Sequence, residues 1–251
     1  MKEFLFLDLD DTIFQTLRKC ENPDQVSVAA YLENGEAISY FSEKQKILLT
    51  RLTERAIIIP TTARSFGAFK RVNINFSNFA ILDFGGIILN PDGKADLAWL
   101  EQIKNKAENT KNELIKIFEI INKFISKNQL NLRSRIIKDF ELDLYIVVKN
   151  NTENSSKDNL NFLYKNLLDN LIKEHKDSFY IHYNDNNLSV IPNFLNKVHA
   201  VKYIINKIKI EYGESIIWGM GDSLTDKHFM SICDYAILPT KSQIFQNLMD
   251  K

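Results

Sequence analysis

Phe4-Leu5-Phe6-Leu7-Asp8-Leu9-Asp10-Asp11-Thr12 is the stretch on which the reading of this chain turns. A run of large apolar residues fits a strand buried on both faces, which has no polar face to show. The run leads straight into the acidic residues Asp8, Asp10 and Asp11. Carboxylates are rarely buried without a partner. A strand ending in Asp-x-Asp-Asp therefore fits the rim of a cation site. It fits a strand end with an Asx-type turn and a helix cap about as well. The residues further along have to separate the two.

Bulk composition narrows the classes. The 251 residues allow one large domain or two smaller ones. A hydrophobic fraction of 45% and a charged fraction of 25% fit a soluble globular protein. Lys+Arg 32 balances Asp+Glu 32, so net charge gives no case for nucleic acid or an acidic membrane as partner. Cys20 and Cys233 have no zinc or disulfide-framework spacing and read as free thiols in a reducing compartment. The apolar run before Asp8 is too short for a signal peptide or a membrane span. The expected location is the cytoplasm. Oligomeric state is not legible in the sequence.

Working outward, Val26–Tyr31 and Ala37–Phe41 flank Asn34-Gly35, a strong hairpin signal. The hairpin is placed either as a flap over the acidic strand end or as a plain edge. Ser42 with Gln45 fits a capping box, and Ile47, Leu48 and Leu52 follow at helical spacing. Ala56–Ile59 is a second apolar strand, ending in Pro60-Thr61-Thr62-Ala63-Arg64-Ser65, and a helix is expected to begin near Ser65. Phe79–Leu82 is a third, before a turn at Asp83-Phe84-Gly85-Gly86. This rhythm predicts βαβ units and a parallel sheet.

The pattern changes after residue 88. Asp96 to about Lys127 is amphipathic and helical, with Asn109-Thr110 as a point of division, and its lysines read as a solvated face. Strands are expected over Leu132–Ile137 and Leu142–Val148, a polar loop over Asn150–Ser156, and a helix over Leu160–Ile172. Phe179–Tyr183 and Leu188–Ile191 flank a turn at Asn184–Asn187. From Asn193 the βα rhythm returns, with a helix over Val198–Ile210 and a strand at Ile216–Trp218 running into Gly219-Met220-Gly221-Asp222-Ser223-Leu224-Thr225-Asp226. A last strand at Tyr235–Leu238 and a short helix close the chain. The expected organisation is an α/β parallel-sheet core, residues 1–88 and 193–251, with an inserted α+β module, residues 89–192.

Several strand ends then carry polar residues on one side of that sheet: Asp8 and Asp10, Thr62, and Asp222 with Asp226. Open parallel sheets bind ligands outside the carboxyl ends of their strands. Carboxylates converging from distant strand ends suit Mg²⁺, which takes hard oxygen ligands and usually bridges to a substrate phosphate. The histidines His175, His182, His199 and His228 show no ligand spacing.

These residues carry a family resemblance. Asp8-Leu9-Asp10-Asp11-Thr12 resembles the first motif of the haloacid dehalogenase superfamily, and Pro60-Thr61-Thr62-Ala63-Arg64 resembles its second. Lys197 resembles the third, and Gly221-Asp222-Ser223-Leu224-Thr225-Asp226 the fourth. The ordered set spans nearly the whole chain. The insert is similar to the C2 cap of the sugar-phosphate phosphatase and phosphomannomutase branch, which implies a Rossmann-like core. Thr61-Thr62-Ala63-Arg64 and Gly219-Met220-Gly221-Asp222-Ser223 also resemble phosphatase-like proteins found beside bacterial tellurite-resistance genes. One departure is Thr225, where the branch often has Asn, and it bears on the geometry around Lys197. The hairpin after the first motif is also longer than in the simplest relatives.

The resemblance implies roles. Asp8 would be the nucleophile and Asp10 the acid/base, with Mg²⁺ held by Asp8, Asp10 (through its backbone carbonyl) and Asp222. Thr62 and Lys197 would bind phosphoryl oxygens, and Asp226 would orient Lys197 or the metal's water. Arg64 would reach the substrate or brace the loop, and Asp11 would cap or brace it. The implied activity is Mg²⁺-dependent hydrolysis of a small phosphorylated metabolite such as a sugar phosphate. A phosphomutase shares the first half-reaction. A phosphate-binding protein without turnover is a further alternative. A receiver-type signalling module is disfavoured by the second carboxylate of Asp-x-Asp and by the insert.

Overall fold

The computed structural model describes residues 1–151, 158–184 and 186–250. Residues 152–156 of the expected polar loop and Asp185 of the expected turn lie outside them.

The opening run forms β1 (Lys2–Leu7), fully buried from Phe4 on. β2 (Val26–Tyr31) and β3 (Ala37–Ser42) make the antiparallel hairpin. Gly35 supplies the positive φ of its turn, at 86°. α1 (Glu43–Thr53) starts with the expected capping box, Ser42 and Gln45 each satisfying the other's backbone N–H. β4 (Ile57–Pro60) leads into one helical turn, α2 (Phe66–Phe69), capped by Ser65. β5 (Ala80–Leu82) and β6 (Ile87–Leu89) pair antiparallel around a tight turn. Then come α3 (Leu97–Lys127), β7 (Leu132–Asp139) and β8 (Leu142–Asn150). α4 (Asp158–Leu163) and α5 (Asp169–Glu174) are joined by a π-helical turn, followed by β9 (Phe179–Asn184) and β10 (Asn187–Pro192). α6 (Lys197–Tyr212), β11 (Ser215–Met220), α7 (Asp226–Met230), β12 (Tyr235–Ile237) and α8 (Gln243–Met249) finish the chain.

The chain divides into two compact units, Met1–Leu100 with Asn196–Lys251, and Glu101–Leu195. The first holds a parallel sheet in the order β12-β11-β1-β4. β1 sits where the strand order reverses, the usual place for a ligand crevice in such sheets. Its last residue, Leu7, is level with Met220 of β11 and Pro60 of β4. The residues that follow all three strands therefore emerge at one edge. One core of this unit gathers Leu5, Leu7, Leu9, Phe14, Phe41, Leu49, Ile58 and Met220. The second unit is an antiparallel sheet, β7-β8-β10-β9. Leu114, Ile117 and Ile121 of α3, and Leu160, Leu163 and Ile172 of α4 and α5, cover its Ile146, Val148 and Val190. The α/β core with an α+β module is the predicted fold class.

Three details differ from expectation. In α1 it is Leu49 that is buried, while Ile47 and Leu48 are exposed. Apolar spacing fixes a helical stripe but not which neighbouring position faces the core. α3 runs unbroken through Asn109 and Thr110; the Thr110 hydroxyl is satisfied within the helix by donating back to the carbonyls of Lys106 and Ala107. β5 does not lie inside the parallel sheet; it meets β4's extension through one parallel bridge, Thr61 to Ile81. Among the described residues, no helix is long and apolar enough to cross a membrane.

Candidate active site

Asp8 follows β1, and its N–H donates to the Met220 carbonyl at 2.9 Å. The sheet thus carries its backbone one residue past the strand, and its side chain is buried. Lys197 is the first residue of α6, whose N-terminus is capped by the Asn196 side chain. Its ammonium donates to Asp8 Oδ1 at 2.7 Å and to Asp226 Oδ1 at 2.6 Å. The other Asp226 oxygen accepts from the Ser223 N–H at 3.1 Å and the Ser223 hydroxyl at 2.6 Å. The Thr12 hydroxyl lies between Asp8 Oδ2, at 2.9 Å, and Asp222 Oδ1, at 3.1 Å.

Two glycines allow this closeness. A Cβ at Gly221 would sit 2.6 Å from the Asp226 Cβ. One at Gly85 would sit 2.8 Å from the Asn196 carbonyl, just before Lys197, and Gly85 also has φ +95°. Trp99 Nε1 donates to the Gly85 carbonyl at 3.0 Å and pins the β5–β6 turn in place.

The electrostatics follow from burial. Loss of water is the largest influence raising the Asp8 carboxyl well above its ordinary value, opposed by Lys197 and reinforced by Asp226 and Asp222. Burial, Asp226 and Asp11 push Asp222 up to about 7. Burial works against the Lys197 charge, but Asp226 and Asp8 outweigh it and hold the ammonium above its usual value. The cluster carries more negative than positive charge in a dry setting.

Carboxylate oxygens of Asp8, Asp222 and Asp226 lie within 4.8 Å of one another, the one such group of metal-ligating residues among those described. The Asp226 oxygens already serve Lys197 and Ser223. Asp8 Oδ2 and Asp222 Oδ1, which both face Thr12, are the pair with the chemistry of a hard-cation site. Both carboxyls are raised first by burial and then by their acidic neighbours, and a divalent cation would offset both, so the donor set fits a hard divalent cation.

Asp10 lies apart from this cluster. Its carboxylate accepts two bonds from Arg64, Nε to Oδ2 and Nη2 to Oδ1, each 2.7 Å. Thr62 is buried two residues past β4, and its hydroxyl accepts from the Arg64 N–H at 3.1 Å. Asp11, at φ 62°, pairs with Lys19 at 2.6 Å. Thr225 meets the Ser223 hydroxyl at 2.8 Å, so it touches the Lys197 network through Ser223 and Asp226. Two residues in these networks, Thr12 and Ser223, have no role in the sequence reading. Thr12 was visible as the last residue of the first motif. Ser223 was visible inside the fourth motif.

Comparison with known proteins bears on the fold. No family model matches the chain, and no curated protein matches it by sequence. Solved structures do. The sucrose-phosphatase of Synechocystis, solved with sucrose and phosphate, superposes with TM-score 0.54 at 16% identity, over 100% of this chain and 88% of that one. A haloacid dehalogenase-like hydrolase from Bacteroides thetaiotaomicron gives 0.51 at 12%, covering 100% and 99%. A Thermoplasma acidophilum protein gives 0.58 at 12%, covering 99% and 89%. The fold is that of the haloacid dehalogenase-like hydrolases. In this chain the first, second and fourth motif stretches follow β1, β4 and β11, and Lys197 opens α6.

Proposed function

We propose that this protein is a phosphatase that hydrolyses a small phosphorylated metabolite, of the sugar-phosphate class, through an aspartyl-phosphate on Asp8. The observation that carries the reading is the buried Asp8–Lys197–Asp226 arrangement beside Asp222 at the edge of the sheet. Two of its structural neighbours, a sucrose-phosphatase and a trehalose-6-phosphate phosphatase-related protein, support the substrate class.

In the first half-reaction an Asp8 oxygen attacks phosphorus. The bond to the leaving oxygen breaks, its electron pair stays on that oxygen, and Asp10 supplies the proton. In the second, water attacks phosphorus, the Asp8–phosphorus bond breaks, Asp10 takes the water's proton, and phosphate leaves. Splitting one displacement into two lowers each barrier. Lys197 is held ready by Asp8 and Asp226 to donate to a phosphoryl oxygen, and Thr62 offers a hydroxyl from just beyond β4. Bound Mg²⁺, held by Asp8, Asp222 and the Asp10 backbone carbonyl, would shield the repulsion between carboxylate and phosphate.

Hydrolysis of an aryl phosphate, with Mg²⁺ and with chelator, tests this. Wild type should turn over only with metal, and Asp8→Asn should lose at least about a thousandfold, as expected on removal of a nucleophile. Equal rates in the two proteins would refute the assignment of Asp8.

A further inference from the structure

The long hairpin after the first motif makes contact with the acid/base candidate through Arg64. The guanidinium forks onto Asp10 at 2.7 Å twice and donates from Nη2 to the Ser39 hydroxyl at 3.1 Å. Ser39 belongs to β3 and is buried. The guanidinium also lies 5.0 Å from the Phe14 ring centroid, and Phe14 meets Phe41 of β3 edge-on at 5.7 Å. The backbone repeats the connection. Gln15 N donates to the Tyr40 carbonyl at 3.0 Å, and Tyr40 N donates to the Gln15 carbonyl at 2.7 Å. Thus β3 is clamped to the segment that carries Asp10.

Exposure separates the two members of this pair. The Arg64 side chain is 13% exposed, whereas Asp10 is 45% exposed. Arg64 is fixed from below by buried groups. Asp10 keeps an open side that a leaving-group oxygen can approach. A bidentate fork fixes the carboxylate's plane as well as its position, which one lysine charge cannot do.

We infer that Arg64 is a positioning residue for Asp10, and that the β2–β3 hairpin, through Ser39, Phe14 and Phe41, holds Arg64 in place for it. This rests on the phosphatase reading. The hairpin is then part of the leaving-group step, and Arg64 acts through Asp10.

Leaving-group dependence tests it. The value of kcat/KM reports events up to the first irreversible step, here departure of the leaving group. An aryl ester with an acidic phenol leaves with little protonation, while an alkyl ester needs it. For Arg64→Met, kcat/KM on an alkyl phosphate should fall at least about tenfold more than on p-nitrophenyl phosphate, a part of the 10²–10⁴ that acid–base catalysis supplies. Arg64→Lys should recover only part of the gap. Ser39→Ala, the milder change, should move the ratio in the same direction by less. Thermal melts establish that each variant is folded. Equal losses on both esters, or full recovery by Arg64→Lys, would overturn the positioning role. An unchanged ratio in Ser39→Ala would overturn the hairpin's part in it. A wild type that turns over neither ester would overturn the phosphatase reading itself, and this inference with it.

Discussion

Lys197 sits where its charge does the most. It reaches both Asp8 and Asp226 with almost no water around it. Removing one partner of a buried charge network leaves the others desolvated and unpaired, which usually costs more than the network contributes over an apolar substitute. Lys197→Met should therefore lower stability by about 3 kcal/mol, read from urea denaturation in chelator so that no cation can replace the ammonium. A loss under about 1 kcal/mol would be that of a solvent-exposed pair and would contradict the burial. The same logic explains why Ser223 matters. Its N–H and hydroxyl satisfy the Asp226 oxygen that faces away from Lys197. Without them that oxygen would be buried with no donor, a cost of its own.

At the scale of the element, the turns between strands set the site as much as the strands do. The β5–β6 turn places Gly85 against the backbone that starts α6, while the β2–β3 turn places Gly35 in open space. Both have positive φ, 95° and 86°. An alanine pays the left-handed penalty of about 1–2 kcal/mol at either position. Only at Gly85 does it also collide, 2.8 Å from the Asn196 carbonyl. Gly85→Ala should cost clearly more stability than Gly35→Ala and also reduce turnover, because the backbone that must yield carries Lys197. Equal losses in matched denaturation curves would show that the turn does not brace α6. The elements were legible in the sequence to differing degrees. β1 and the hairpin stood out because a continuous apolar run and an Asn-Gly turn each have a specific physical cause. The buried face of α1 did not. Ile47, Leu48 and Leu49 are adjacent apolar residues, and only tertiary packing chooses among them.

For the whole molecule, the parallel sheet was legible from the βα rhythm, and the strand-end residues Asp8, Thr62 and Asp222 from their place after apolar runs. Their convergence needed the register, which puts Leu7, Pro60 and Met220 level. What sequence could not supply is the pairing between distant side chains. Nothing in Thr-Thr-Ala-Arg tells whether Arg64 faces a ligand or Asp10, because 54 residues separate the partners. Likewise Ser39 reads as one serine in a β-prone run until the hairpin folds against the Asp10 segment. The central claim is a covalent bond between Asp8 and phosphorus. Acid quenching during turnover, followed by borohydride reduction, converts an aspartyl-phosphate to homoserine. Tandem mass spectrometry of the digested protein should find homoserine at position 8 when a phosphate ester and Mg²⁺ are present, and unmodified Asp8 without substrate. Turnover with no homoserine at position 8, or with homoserine at another aspartate, would contradict the account.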